Sequence, residues 1–229
     1  MSKIIIANFK MNGTKPFINQ WFRNFLEETN TLNKIIVALP TPYLASFSDC
    51  SISIAAQNVS SFDSGSFTSQ VSAEMLKDCG IDYCIIGHSE SRNLLNETNE
   101  DIFNKYNQLS KNSIKPILCV GESIDVREDN ETSSFITDQL NFFSGKGEDV
   151  IIAYEPIWAI GSGLIPAASD INEVCELIKS LVTNAKILYG GSVNEKNAFH
   201  LMNNSNIDGL LVGGASLDPK EFANIAQSC

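Results

Sequence analysis

Glu155 ends a short apolar run, Val150-Ile151-Ile152-Ala153-Tyr154, and Pro156 follows it at once. A run of this length bounded by turn residues reads as a strand buried on both faces. A carboxylate placed where such a strand leaves its sheet is costly unless it has a task or a partner. Beyond it come an apolar tip, Trp158-Ala159-Ile160, and then Gly161 and Gly163. An apolar tip between a proline and a glycine pair has the make-up of a lid that swings over a site and excludes water. A core salt bridge for Glu155 and a well-packed loop for the rest are the structural alternatives. A membrane span is excluded, because Pro156, Gly161, Gly163 and Pro166 interrupt the stretch and Glu155 lies inside it.

The other apolar runs end in groups of the same kind. The first is followed by Asn8 and Lys10, the fourth by Gly87-His88-Ser89-Glu90, and the fifth closes on Cys119-Val120-Gly121-Glu122. The seventh ends in Tyr189-Gly190-Gly191-Ser192 and the eighth in Val212-Gly213-Gly214-Ala215-Ser216. His88 follows a glycine and precedes Ser89-Glu90, a turn into a helix. Positive potential at a helix N-terminus disfavours a protonated imidazole and leaves a neutral N–H donor. The glycine pairs are either tight turns or, on adjacent final strands of a barrel, a backbone cradle for phosphate. Glu90 and Glu122 could be structural ion-pair partners, Glu122 above all, with Arg92 and Arg127 as the nearby cations. His200, within a helical stretch, reads as an ordinary surface or core residue.

These groups need strands to hold them. β-rich runs recur at Lys3–Asn8, Lys34–Leu39, Ile52–Gln57, Tyr83–Ile86, Ile114–Val120, Val150–Tyr154, Lys186–Tyr189 and Gly209–Val212. Amphipathic segments lie between them: Pro16–Glu28, Ser72–Asp78, Asn99–Ser110, Ser134–Asn141, Ile171–Val182 and Glu195–Met202. Strict alternation implies parallel strands joined by right-handed crossovers. Eight such units predict a single-domain (β/α)8 barrel over residues 1–229, with its site at the strand C-terminal ends. An open doubly wound sheet would want GxGxxG after the first strand, where the chain reads Asn8-Phe9-Lys10-Met11-Asn12-Gly13. Lys34, Lys115 and Lys186 fall at strand starts, on the opposite face. Lys10 is then the lysine of the site face.

Composition narrows the partners. A net charge of -11 argues against nucleic acid and anionic membranes, and an anionic substrate would need local positive potential. Six cysteines without a CxxC pair predict free thiols in a reducing cytosol rather than zinc or a disulfide framework. The apolar run after Met1-Ser2-Lys3 is too short for a signal peptide.

The motifs Asn8–Gly13, Gly87–Arg92, Cys119–Glu122, Ala153–Gly163, Tyr189–Val193 and Val212–Leu217 occur in an order that resembles the triosephosphate isomerase family along the whole chain. The resemblance implies interconversion of dihydroxyacetone phosphate and D-glyceraldehyde 3-phosphate through an enediol(ate), with no metal or organic cofactor. It assigns proton transfer between carbons to Glu155 and proton relay between oxygens to His88. Charge stabilisation falls to Lys10, orientation of substrate to Asn8, and support of these groups to Glu90. Phosphate would be held by backbone N–H groups of Gly161, Ser192, Gly213 and Gly214. A carboxylate base, a neutral donor and a cation suffice for proton abstraction beside a carbonyl.

The resemblance also implies a cytoplasmic homodimer in which the loop Ser60–Ser72, through Thr68, completes the neighbour's site beside its Met11-Asn12-Gly13. The loop is long for a βα connection and carries Phe62, Phe67 and Val71; the alternative is that it folds back on its own barrel. Ser91, Ser69-Gln70, Ser162 and Leu164 depart from the family's usual Arg, Gly-Glu, Thr and Lys. The segment after the fifth strand is compact. Three rivals fit less well. A Schiff-base aldolase barrel would want a lysine where Glu155 stands, and a metal-dependent epimerase would want several His or Asp ligands on the site face. A non-catalytic phosphate-binding or scaffold barrel has no use for Glu155, His88 and Lys10 together.

Overall fold

In the computed structural model, which describes residues 2–144 and 150–229, eight strands pair in parallel and in sequence order, with β8 returning beside β1 to close the barrel. They are β1 (Ile4–Asn8), β2 (Lys34–Ala38), β3 (Ser53–Ala56), β4 (Tyr83–Ile86), β5 (Lys115–Val120), β6 (Ile151–Tyr154), β7 (Lys186–Tyr189) and β8 (Gly209–Val212). Each lies within two residues of the span expected from sequence. Around them run α1 (Lys15–Glu28), α2 (Leu44–Phe47), α3 (Ala73–Asp78), α4 (Ser89–Leu95), α5 (Asn99–Lys111), α6 (Ile124–Glu128), α7 (Thr132–Leu140), α8 (Ala168–Leu181), α9 (Ala198–Asn204) and α10 (Pro219–Gln227). The connection from β5 to β6 is built from α6, α7 and a short helical turn, and residues 145–149 of it lie outside the described residues. Among the described residues no helix is long and apolar enough to cross a membrane.

Strand alternation sorts the core into two layers. Ile6, Ile36, Ile85, Ile117, Ile151, Leu188 and Leu211 point inward and fill the barrel. Their neighbours Ile5, Val37, Leu118, Ile152, Ile187 and Leu210 face outward beneath the helices. The helical cover shows the same logic. Thr14 caps α1 by accepting from the Phe17 N–H, Pro16 occupies its first turn, and Ile18, Trp21, Phe22 and Phe25 form its buried stripe. Trp21 stacks on Phe25 at 5.0 Å, and Phe222 of α10 packs against both.

One helix starts later than its apolar period suggests. The Asn194 side chain accepts from the Lys196 and Asn197 N–H groups, and this local turn holds residues 195–197 out of α9. Helices α2, α6 and α10 were not legible as separate elements. The first two are shorter than two turns, too short to show a period. α10 carried a readable start, since Asp218 accepts from the Lys220 and Glu221 N–H groups and Pro219 follows it.

Candidate active site

The inward set of each strand continues past its C-terminal end. On β1 it runs Ile6, Asn8, Lys10; on β6, Ile151, Ala153, Glu155; on β7, Leu188, Gly190; on β8, Leu211, Gly213. Period two therefore aims a carboxylate, an amide and an ammonium into one mouth, and places glycines where bulk would block them. At Gly190 a Cβ would lie 2.7 Å from Glu155 Cγ, so only glycine leaves the glutamate its place. His88 is off this period. Gly87, with φ +68°, turns the chain sharply so that His88 becomes the N-cap of α4.

There the imidazole Nδ1 accepts from the Glu90 backbone N–H at 3.1 Å, which leaves Nε2 to carry the proton. Nε2 lies 3.3 Å from Glu155 Oε1. Glu155 is 3% exposed, and burial pushes its carboxyl above the ordinary range against the opposing pull of His88 and Lys10. The Cys119 thiol and the Ser89 amide also face it, while Oε2 is buried without a hydrogen-bond partner. Lys10 holds Glu90 at 2.5 Å and sits at φ +51°, a left-handed conformation that costs a non-glycine residue energy. Two bonds fix it there: its N–H donates to the Asn8 side chain at 3.0 Å, and Gln57 donates to its carbonyl at 2.9 Å.

A cleft of about 270 Å³ gathers these groups. Asn8, Lys10, His88, Glu155, Gly161, Ser192, Gly213 and Gly214 all line it. Glu90 does not; it stands behind Lys10 and His88. The cleft also takes in Ile160, from the apolar tip after Glu155, and Leu211, an inward residue of β8 that carries no sequence signal of a site role. Gln57, the last residue of the third apolar run, carries the same signal as Asn8 and Glu155, a polar residue ending such a run.

The loop expected to act as a lid is tied down at both ends. Ser192 Oγ donates to the Ala159 carbonyl at 2.6 Å and accepts from the Gly163 N–H at 3.1 Å. At the first hinge Ile157 N–H donates to the Glu122 carbonyl, and Trp158 Nε1 donates to the Glu122 carboxylate at 3.2 Å. Glu122 is fully buried; Arg127 lies 3.5 Å from it, as its sequence proximity suggested. Arg92 does not pair with Glu90. Its guanidinium instead donates to the Gly87 and Cys119 carbonyls and to Asn99, knitting β4, β5 and α5 together.

A closed parallel barrel whose convergent acid–base groups all lie at the C-terminal mouth defines a (β/α)8-barrel enzyme. Residues 3–229 match the family model described as triosephosphate isomerase. Proteins named triosephosphate isomerase are similar throughout: one of Mesomycoplasma hyopneumoniae strain 232 is 43% identical, covering 98% of each chain. One of Prochlorococcus marinus strain MIT 9301 is 39% identical over 99% of each chain. One of Francisella philomiragia is 37% identical over 98% of this chain and 96% of its own. The chain belongs to the triosephosphate isomerase family and is an aldose–ketose isomerase.

Proposed function

We propose that the chain interconverts dihydroxyacetone phosphate and D-glyceraldehyde 3-phosphate with Glu155 as the single proton carrier between the two carbons. The observation that carries this is a buried carboxylate with one oxygen unpartnered and the other 3.3 Å from an imidazole N–H, in a cleft that also holds an ammonium. Glu155 takes the proton beside the carbonyl, and the electron pair moves to oxygen as an enediolate. His88 Nε2–H and Lys10 stabilise that charge, His88 passes protons between the oxygens, and Glu155 returns its proton to the other carbon. Asn8 orients the substrate and Glu90 holds Lys10 in place. Backbone N–H groups of Gly161, Ser192, Gly213 and Gly214 hold the phosphate. No step calls on a metal or an organic cofactor. Isomerisation of dihydroxyacetone phosphate by the purified protein in EDTA tests the reading; activity lost to chelator and restored by a divalent ion contradicts it.

The lid protects the intermediate. An enediolate phosphate open to water expels phosphate: the C–O bond breaks, its electron pair leaves on the phosphate, and the enediolate charge closes into a carbonyl.

We infer further that the enzyme is a cytoplasmic homodimer. The six cysteines are free thiols, and a net charge of -11 suits neither nucleic acid nor anionic membranes. Phe62 and Phe67 stack on each other at 3.9 Å yet remain 46% and 38% exposed, and Met11 is 96% exposed. An exposed loop with two aromatic rings and an exposed methionine on the first-strand loop suit a second copy better than water. Thr68→Arg should weaken the dimer and lower activity together in sedimentation and assay; a fully active wild-type monomer contradicts the proposal.

A further inference from the structure

One cluster lies outside the proton chemistry. Arg127, at the end of α6, reaches the Asp170 carboxylate at 2.6 Å with Nη2 and Glu122 Oε1 at 3.5 Å with Nη1. Its guanidinium also lies over the Trp158 ring, 5.4 Å from the centroid. These contacts belong to the two ends of the lid. Trp158 and Glu122 make up the first hinge. Asp170 stands in the first turn of α8, immediately beyond the second, where the helix dipole favours a negative charge. Apart from the Gly163 N–H to Ser192 bond and buried Pro166, that end is open: Leu164 and Ile165 are 57% and 43% exposed, and the N-cap of α8, Ala167, makes no side-chain cap.

We propose that Arg127, held by Asp170, is a positioning residue for the lid: a brace that spans from the first hinge to the helix after the second and sets where Trp158 closes. Among the described residues Arg127 is the cation within 4 Å of the buried Glu122, so one guanidinium both neutralises the hinge anchor and fixes its distance from α8. Trp158 Nε1 and Tyr154 Oη both donate to Glu122 Oε1, which makes that oxygen the point through which the brace acts. A shift there moves the lid tip, with Gly161 and its phosphate contact, while Glu155, His88 and Lys10 stay in place.

The proposal rests on the lid and isomerase reading, and its test separates the two. Asp170→Asn leaves Glu122 its cation and frees the far end of the brace. Hinge changes alter kcat and KM together, and an ångström of misplacement at a site is worth up to about 10²-fold, so a loss in kcat of about tenfold is expected. Phosphate released per turnover should rise several-fold, and Asp170→Glu should restore both. Acrylamide quenching gives a readout independent of activity. Trp21 is 1% exposed in the core, so quenchable emission reports Trp158 and should increase in Asp170→Asn. Unchanged quenching overturns the brace. So does a loss of activity that only follows the folded fraction and that Asp170→Glu fails to restore. If wild-type protein forms no glyceraldehyde 3-phosphate the isomerase reading falls, and the quenching comparison still decides the brace.

Discussion

The two ends of the barrel are made from the same strands and solve opposite problems. At the strand starts the charges are part-exposed and satisfied. Lys3 donates to the Ile207 carbonyl at 2.9 Å, Lys34 to Ser53 at 2.7 Å, and Lys186 lies 3.7 Å from Asp208, which in turn accepts from the Ile187 N–H. At the strand ends Glu155 and Glu122 are buried with an oxygen unpartnered, the Tyr189 hydroxyl has no partner, and Lys10 holds a left-handed backbone. The strand-start end also holds buried unpartnered hydroxyls, Thr29 and Ser205, and a left-handed residue, Ser113. At the mouth, however, the unpartnered oxygens include two carboxylates and the strained backbone is that of Lys10, which the surrounding core must hold there. The start of the barrel serves stability and its mouth gives some up.

The sharpest way to break that contrast is at Glu155. Shortening it to Asp withdraws the carboxylate by about 1 Å, which should lower kcat by about 10²-fold with little change in KM, because the phosphate contacts proposed above come from other loops. Steady-state kinetics checks this, and unchanged turnover removes Glu155 as the base.

Glu155→Gln should lose activity and gain stability, by about 1–3 kcal/mol at neutral pH, the cost of an unsatisfied buried group. The sign follows from burial. A carboxyl whose folded pKa is raised contributes stability that is fully present below its unfolded pKa and lost as pH rises through the folded value. Gln imitates the protonated form, so its Tm advantage should grow from acid toward neutral pH. An advantage that shrinks with pH contradicts the assignment.

The smallest effect belongs to the other end. Lys186→Gln breaks a long, half-exposed ion pair and should move stability by no more than about 0.5 kcal/mol. Its kcat should equal that of wild type; a clear loss would mean the two ends are not separate in function.

Much of this division was readable beforehand. Alternation of apolar runs and amphipathic segments predicts the closed barrel, and the period within β1 and β6 carries directly to Asn8, Lys10 and Glu155. His88 escapes that period because Gly87 breaks it, and only the Gly-His-Ser-Glu run marks the place. Gln57 and the Arg127–Asp170 pair were not legible as site features. Their roles depend on which neighbours the barrel brings beside them: Gln57 acts through the Lys10 carbonyl, and Asp170 meets an arginine that precedes it by a strand and a lid. Helices too short for a period, such as α6, left no signal of their own.

The central claim is that one carboxylate carries the proton between carbons. Turnover of dihydroxyacetone phosphate in D2O tests it most directly, because a carboxyl proton exchanges with solvent and a hydride moved from carbon to carbon does not. The account predicts D-glyceraldehyde 3-phosphate bearing deuterium at C2, read by NMR at early conversion. Product formed at full rate with no deuterium on carbon would contradict it.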